Sequence, residues 1–469
     1  MNKLKLGFMG AARNVTGSRY LLETDNARIL VDCGLYQERE FRYRNWEPFL
    51  VPPRTLDAVL LTHAHLDHCG LLPKLAREGF GGKIYGTAAT AEITRIMLLD
   101  SARLQQEDAE FKVKRHKREG RKGRYPEIPL YTVDDATATN PLFSPVKYEE
   151  AVHIAGGLEA TFYDAGHVFG SAMIKVTVNQ NGEKRTILFS GDVGRQDKPI
   201  IKDPTLFNEA DYVLIESTYG DRLHESSEDI SNRLAEIINS TRRAGGNIVI
   251  PSFALERAQE VMWYLNELLL ADRIPHLMVF VDSPMAMNIT EIFKHHPELF
   301  DRDMSILVRQ HNSPFNFPGL TMSHTTDESK AINHIAGTAI IIAGSGMCTG
   351  GRIKHHLVAN ISRKESTILF VGYQAAGTLG RHIVEGSKTA RILGQNYPVR
   401  ARIAQIHGFS AHADRNELFS WISGLKKAPR HVFITHGEAR AAQSFGEFLH
   451  EKTGWEISIP EYGTEVSLE

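Results

Sequence analysis

The chain is poor in cysteine, in long apolar runs and in net charge, and each shortage excludes something. Cysteine occurs three times in 469 residues, at Cys33, Cys69 and Cys348. An odd, scattered set argues against a disulfide framework and for a reducing, cytoplasmic setting. Cys33 and Cys69 flank candidate site residues, yet small buried side chains account for both. No apolar stretch approaches the ~20 residues needed to span a bilayer, so no membrane partner is expected. Arg13 and Asn14 interrupt the apolar start, so no signal peptide is expected either. The net charge of −2 gives no global basic field. A nucleic-acid binder of this composition needs a local patch. One exists at 112–124, KVKRHKREGRKGR, with eight Lys/Arg against one Glu. The run follows a helical pattern and reads either as a flexible arm for a nucleic-acid backbone or as a solvated surface segment.

What is present is a regular order of strands. KLGFM, RYLLET, RILVDCG and AVLLTH are β-rich and divided by Gly, Asn or Asp. Helical patterns follow at 69–78 and 88–108. LEATFYDAG, SAMIKVTVN, TILFSGDVG and YVLIESTYG form a second strand series. Alternation in SAMIKVTVN buries one face only. From about residue 220 the strands become continuous apolar runs, NIVIPSF, HLMVFVDSP, TAIIIAGSG and STILFVGYQ, each followed by a helical stretch. That is the pattern of parallel strands covered on both faces. After about 385 the first style returns. The expected fold is α/β: an αβ/βα sandwich at 1–210 and 386–469, interrupted by a parallel-sheet α/β domain at 211–385.

The chemistry concentrates in HAHLDH, which places three histidines and an aspartate at His63, His65, Asp67 and His68, just after an apolar strand. His63 and His65 lie on alternate positions and can face one ion. Asp67 and His68 follow the turn and can face another. Imidazole mixed with carboxylate suits zinc in a hydrolytic site, whereas structural zinc sites are mostly rich in thiolate. Further strand ends carry partners: His167 in YDAGHVFG, Asp192 in LFSGDVG and His436 in FITHGE. Asp192 has two oxygens and can bridge both ions. Asp32, in LVDCG, suits an acceptor that holds a ligand imidazole.

These motifs, in this order, resemble the metallo-β-lactamase superfamily. The closer resemblance is to its β-CASP ribonucleases, which cover essentially the whole chain. Three extra motifs match: Glu216 in LIESTYG, His412 in GFSAHAD and His436 in THGE. PSFALERAQE and GSGMCTGGR are similar to signatures of the family's inserted domain. A histidine at the third motif is typical of the RNA-cleaving branch. The resemblance implies a ribonuclease that hydrolyses phosphodiester bonds through a hydroxide activated by two zinc ions, in RNA processing or decay. His412 is then the general acid, with Glu216 holding its imidazole, and Asp67 and Asp32 also serve the reaction. Internal cuts are favoured, with a 5′-3′ exonuclease as the alternative.

Two glycine-rich turns of the inserted domain, 343–352 and 372–381, suit phosphate, with Ser345, Gly346, Met347, Thr378 and Arg381 as candidate ligands. Parallel α/β domains need glycine at such turns in any case. The expected partner is RNA, mainly single-stranded. The sequence leaves the oligomeric state open, a homodimer among the options. A small-molecule hydrolase of the same fold and a non-catalytic RNA-binding scaffold are the competing readings.

Overall fold

The structure, a computed structural model, describes residues 4–120, 123, 125–180, 183–224, 230–335, 337–375 and 377–468. The chain divides into two compact units. One comprises Met1–Asp197, Asp203–Leu223 and His412–Glu469, the other Lys198–Lys202 and His224–Ala411.

The first unit is built on two seven-stranded sheets. One runs, in spatial order, Glu465–Ser467, Leu4–Gly10, Arg19–Thr24, Arg28–Val31, Ala58–Leu60, Lys83–Thr87 and Phe143–Val146. The other runs Ile457–Ser458, His431–Thr435, Tyr212–Glu216, Glu183–Phe189, Ala172–Gln180, Leu158–Asp164 and Ala151–His153. The period-2 alternation of the strands sorts their side chains into layers. Leu6, Phe8, Leu22, Ile29 and Val31 from the first sheet share a core with Phe162, Ile174, Ile187, Leu214 and Phe433 from the second. Their strand neighbours point the other way. Leu21, Leu30 and Val59 join Leu75, Leu98 and Ala102 of the flanking helices, while Val213, Ile215, Val432 and Ile434 join Leu418, Trp421, Phe445 and Leu449. Helix, sheet, sheet, helix is therefore the layer order of this unit.

In the second sheet, Glu183–Phe189, Tyr212–Glu216 and His431–Thr435 are mutually parallel. In the first, Arg28–Val31 and Ala58–Leu60 are parallel as well. Parallel neighbours present their C-terminal ends on one edge, which is where Asp32, His63, Asp192, Glu216 and His436 stand.

The second unit has a six-stranded sheet in the order Leu320–Met322, Met278–Asp282, Ala339–Ala343, Ile248–Pro251, Thr367–Phe370 and Arg402–Gln405. Every adjacent pair is parallel, as the continuous apolar runs require. A two-stranded ribbon, Thr389–Ile392 with Gln395–Pro398, completes it.

Contacts divide the chain at Leu223/His224 and Ala411/His412, where the sequence pattern changes at 210/211 and 385/386. Tyr212–Glu216 stays in the first unit because it pairs with the strands on both its sides, and Arg402–Gln405 joins the second because it extends the parallel sheet. The basic run is not an arm in its described part. The helix expected at 88–108 continues from Ala88 to Glu119, capped by the Thr87 hydroxyl and closed by Gly120 at φ 63°. Pairs one turn apart, Lys112 with Asp108, Lys114 with Glu110 and Arg115 with Glu119, support that extension. Arg121, Lys122 and Arg124 lie outside the described residues. No described helix is long and apolar enough to cross a membrane.

Phe433 is buried between the sheets against Phe8, with ring centroids 5.2 Å apart, and its strand ends one residue before His436. Phe433→Ala should destabilise this unit by about 3–5 kcal/mol. Urea titration followed by near-ultraviolet circular dichroism should show the earlier loss of packing.

Candidate metal centre

Six strand ends and one turn build the centre. HAHLDH breaks the strand Ala58–Leu60 and starts a short helix, Leu66–Cys69, so its ligands stand on either side of a tight turn. His63, His65, His167 and Asp192 converge as one donor group, and Asp67, His68 and His436 as another. Asp192 stands between them. Its Oδ2 is 3.4 Å from Nε2 of both His63 and His167, and its Oδ1 is 3.3 Å from Nε2 of His68.

The hydrogen bonds fix which imidazole nitrogen faces inward. Asp32 accepts from the Thr62 N–H at 2.8 Å and from the Thr62 hydroxyl, and its Oδ2 lies 2.7 Å from Nδ1 of His68. A carboxylate here only accepts, so His68 carries its proton on Nδ1 and turns the Nε2 lone pair inward. Having donated to Asp32, the Thr62 hydroxyl can only accept from Nδ1 of His63, 3.1 Å away. The hydroxyl of Thr218 does the same for His436. It donates to the His436 carbonyl and accepts from its Nδ1, both at 3.1 Å. Nε2 of His436 then meets Nε2 of His68 at 3.0 Å, and Nε2 of His63 meets Nδ1 of His65 at 3.0 Å. Two lone pairs at such distances repel unless a positive charge lies by them. A proton can supply it, and so can a metal ion.

One carboxylate oxygen of the centre lacks the hydrogen bond that would otherwise satisfy it. Oδ1 of Asp192 is buried without a hydrogen-bond partner. Burial raises its pKa, but His436, His68, His63 and His412 outweigh burial and hold the carboxyl well below its ordinary value. Burial likewise works against the charged form of Asp67, and the hydrogen bond and charge of His436 lower it to about 2. His63 is pushed well down by burial and then by His68, and His65 is lowered by burial, so both are neutral bases. Burial works against charge on His68 and His436 as well, but Asp192 with Asp32, and Asp192 with Asp67, hold them above their ordinary values, so a proton occupies the place that a divalent cation can take. The donor set thus fits a metal.

His412 is placed differently. Its Nδ1 lies 3.2 Å from both oxygens of Glu216 and 3.9 Å from Oδ2 of Asp192. Burial disfavours its charge, but Glu216 and Asp192 raise its pKa to about 9. Glu216 is in turn held by the N–H groups of Val193, at 2.7 Å, and Thr218, at 3.3 Å. The result is a positively charged imidazolium beside the metal donors.

Among the residues singled out by sequence, Asp32, His63, His65, Asp67, His68, His167, Asp192, Glu216, His412 and His436 stand together in the first unit. Ser345, Gly346, Met347, Thr378 and Arg381 stand together in the second. The Gly380 N–H donates to the Met347 carbonyl at 3.1 Å, and Gln374 donates to the Gly346 carbonyl. Their polar groups, however, are engaged internally. Ser345 accepts from the Thr349 N–H, Thr378 caps its own helix and Arg381 pairs with Glu385 at 2.7 Å. Arg352, at the end of the first turn, is held 2.6 Å from the buried Asp282. Sequence reasoning missed Thr62 and Thr218. The one available signal is position: each threonine is adjacent to, or two residues after, a residue already singled out.

Comparison with known proteins agrees with this geometry. Residues 21–211 match the model of the metallo-beta-lactamase superfamily domain, 258–383 that of the Beta-Casp domain, and 396–460 that of the Zn-dependent metallo-hydrolase RNA specificity domain. The chain is 38% identical to Ribonuclease TTHA0252 of Thermus thermophilus, over 98% of this chain and 99% of the relative. It is 31% identical to the transcription termination factor FttA of Methanosarcina mazei, over 95% of this chain and 68% of the relative. A crystal structure of an Enterococcus faecalis protein of unknown function shares the fold, with a TM-score of 0.56 at 10% identity, covering 99% of this chain and 100% of that one. With ordered motifs, convergent donors and a full-length relative of this similarity in hand, the chain belongs to the β-CASP nuclease family of the metallo-β-lactamase superfamily and is a metal-dependent hydrolase.

Proposed function

We propose that the chain is a zinc-dependent ribonuclease that cuts single-stranded RNA internally. One observation carries the reading: a buried donor set for two ions shares Asp192 with the charged pair His412–Glu216. His63, His65 and His167 would hold one ion and Asp67, His68 and His436 the other, with Asp192 bridging. Ions held there would supply Lewis acidity, which makes water nucleophilic at neutral pH and polarises a phosphoryl oxygen. Asp32, Thr62 and Thr218 occupy Nδ1 of His68, His63 and His436 and so turn Nε2 of each inward. Glu216 occupies Nδ1 of His412 and sustains its charge, so the remaining nitrogen can give its proton to the departing 3′-oxygen. The strand then ends in a 3′-hydroxyl on one fragment and a 5′-phosphate on the other. The match to an RNA specificity domain and the ribonuclease among the relatives support RNA as the substrate. Three free, buried cysteines are in keeping with a cytoplasmic setting.

Three outcomes follow from this reading. His436→Ala should retain about half of the bound zinc by elemental analysis; loss of both ions or of neither would contradict separate sites. His412→Ala should lose about 10²–10⁴ in cleavage rate while keeping its zinc and its affinity for RNA. Zinc loss in that variant would make His412 a ligand instead. RNA labelled in turn at each end should give internal fragments with 5′-phosphates, whereas 2′,3′-cyclic phosphate ends would show that the neighbouring 2′-hydroxyl is the nucleophile.

A further inference from the structure

The segment QEREFRYRNW, 37–46, lies beside the metal turn and is used by none of the chemistry above. It follows directly from Asp32. The Cys33 N–H donates to the His68 carbonyl at 2.7 Å and the Leu35 N–H to the Leu66 carbonyl at 2.9 Å. A Cβ at Gly34 would fall 1.6 Å from the Asp67 carbonyl oxygen, so the backbone here lies flush against the turn that carries Asp67 and His68. Asn45 closes the segment. Its side chain accepts from the Tyr36 N–H at 2.9 Å and donates to the Tyr36 carbonyl at 2.8 Å. Glu38 ties the same segment to the loop before it by accepting the N–H groups of Val15 and Thr16. That loop also reaches the centre, since the Ala11 carbonyl accepts the His436 N–H at 2.8 Å.

What this braced segment presents is aromatic and cationic. Tyr43 is 39% exposed and Trp46 is half-buried. No ring stacks on either among the described residues. Arg44 braces Tyr43, donating from Nε to its hydroxyl at 3.4 Å, and its guanidinium lies 3.8 Å from the ring centre of Tyr462 and 4.7 Å from that of Phe41. Arg39 and Arg42 are exposed. None of the three arginines meets a carboxylate in an ion pair among the described residues. A planar partner with negative charge suits both the rings and the arginines. An unpaired nucleobase on its sugar–phosphate chain is such a partner.

Resting on the ribonuclease reading, we propose that Tyr43 and Trp46 form a stacking platform for unpaired bases of single-stranded RNA next to the scissile phosphate, with Arg39 and Arg42 holding the adjoining phosphates. The platform is tolerant of sequence, because every base has a π-face. It excludes paired RNA, whose bases are already stacked. The backbone that leads into it lies against the Asp67 turn at Gly34, so a base held there would position the reacting phosphate as well as grip the strand.

The test measures fluorescence anisotropy of a labelled 12-nucleotide oligoadenylate, with all proteins carrying His412→Ala so that the RNA persists and compared at equal metal content. Tyr43→Leu with Trp46→Leu should weaken binding by roughly five- to hundredfold per stacked base. Tyr43→Phe with Trp46→Phe, which keeps both rings, should restore most of it. An abasic chain of the same length should bind the leucine and unchanged proteins alike. Arg39→Ser with Arg42→Ser should lower the salt dependence on both chains, since phosphate contacts release counterions. Equal affinity of the leucine and phenylalanine variants would overturn the platform, as would an equal loss on the abasic chain. A change of oligomeric state in the leucine variant, with RNA affinity kept, would make the face a self-association surface and overturn it too. Failure of the parent protein to cleave any RNA would instead remove the ribonuclease reading, before the platform is tested.

Discussion

Asp192 sets the terms for the rest of the centre. One buried carboxylate has five imidazoles around it, with His63, His68, His167, His436 and His412 at 3.3 to 3.9 Å. A carboxylate without water is stable only if positive charge is placed beside it, and leaving it unpaired costs several kcal/mol. The surrounding imidazoles are themselves held neutral or charged by what lies behind them. Burial and His68 push His63 toward the neutral form, whereas Asp192 and Asp32 hold His68 well above its ordinary pKa against burial. The cluster is therefore a charge balance that a proton or a cation completes. Without Asp192 the same five rings would be a set of mutually repelling bases.

The fold supplies what this balance needs, namely side chains from distant parts of the sequence at sub-ångström repeatability. Ends of parallel strands lie on one edge by construction, and the apolar core between the sheets makes that edge rigid. Asp32 and His436 leave their strands with φ of 60° and 47°, in the left-handed region that residues with a Cβ seldom adopt. Such backbones cost about 1–3 kcal/mol each and persist only where packing and hydrogen bonds over-determine them. Here the bonds are visible: the Asp32 N–H donates to the Leu60 carbonyl and the His436 N–H to the Ala11 carbonyl. The turn aims each side chain inward instead of along the sheet. Thr62 and Thr218 then use one hydroxyl each to fix ring orientation and tautomer at once.

How much of this was legible in the sequence depends on the distance over which the information acts. HAHLDH could be read because its spacing follows a strand and names its own chemistry. His167, Asp192 and His436 could be read because each follows an apolar run within a few residues. Layer order was legible from the contrast between alternating strands such as SAMIKVTVN and continuous ones such as TAIIIAGSG. The part that escaped depends on partners far along the chain. Thr218 looks like any strand-end threonine until His436, 218 residues later, is found beside it. The turn at 343–352 suits phosphate by its sequence, yet its Arg352 is held by Asp282, 70 residues earlier, which also accepts from His356 and Ser329. The place of Tyr212–Glu216 between two parallel neighbours was hidden for the same reason, because an apolar strand does not say which sheet it joins. The basic run misled through composition. Its acids, Asp108 and Glu110, precede the counted window, and they turn an apparent arm into a helix.

That last error bears on how a chain of net charge −2 can hold a polyanion. Of the five described cations between Lys112 and Arg118, three are paired with acids one turn away. Arg352 and Arg381 are paired as well. Cations already held by carboxylates release few counterions on meeting phosphate, so counting lysines and arginines overstates the electrostatic share of binding. Much of the chain's positive charge therefore serves its own helices and loops. On the proposed platform, arginines without acid partners would matter more than their number suggests, because they would act where the phosphate is held. Exposed rings beside them offer a contact that salt does not screen and that duplexes cannot use. A nearly neutral protein can thus prefer single strands at its reactive edge without attracting nucleic acid over its whole surface.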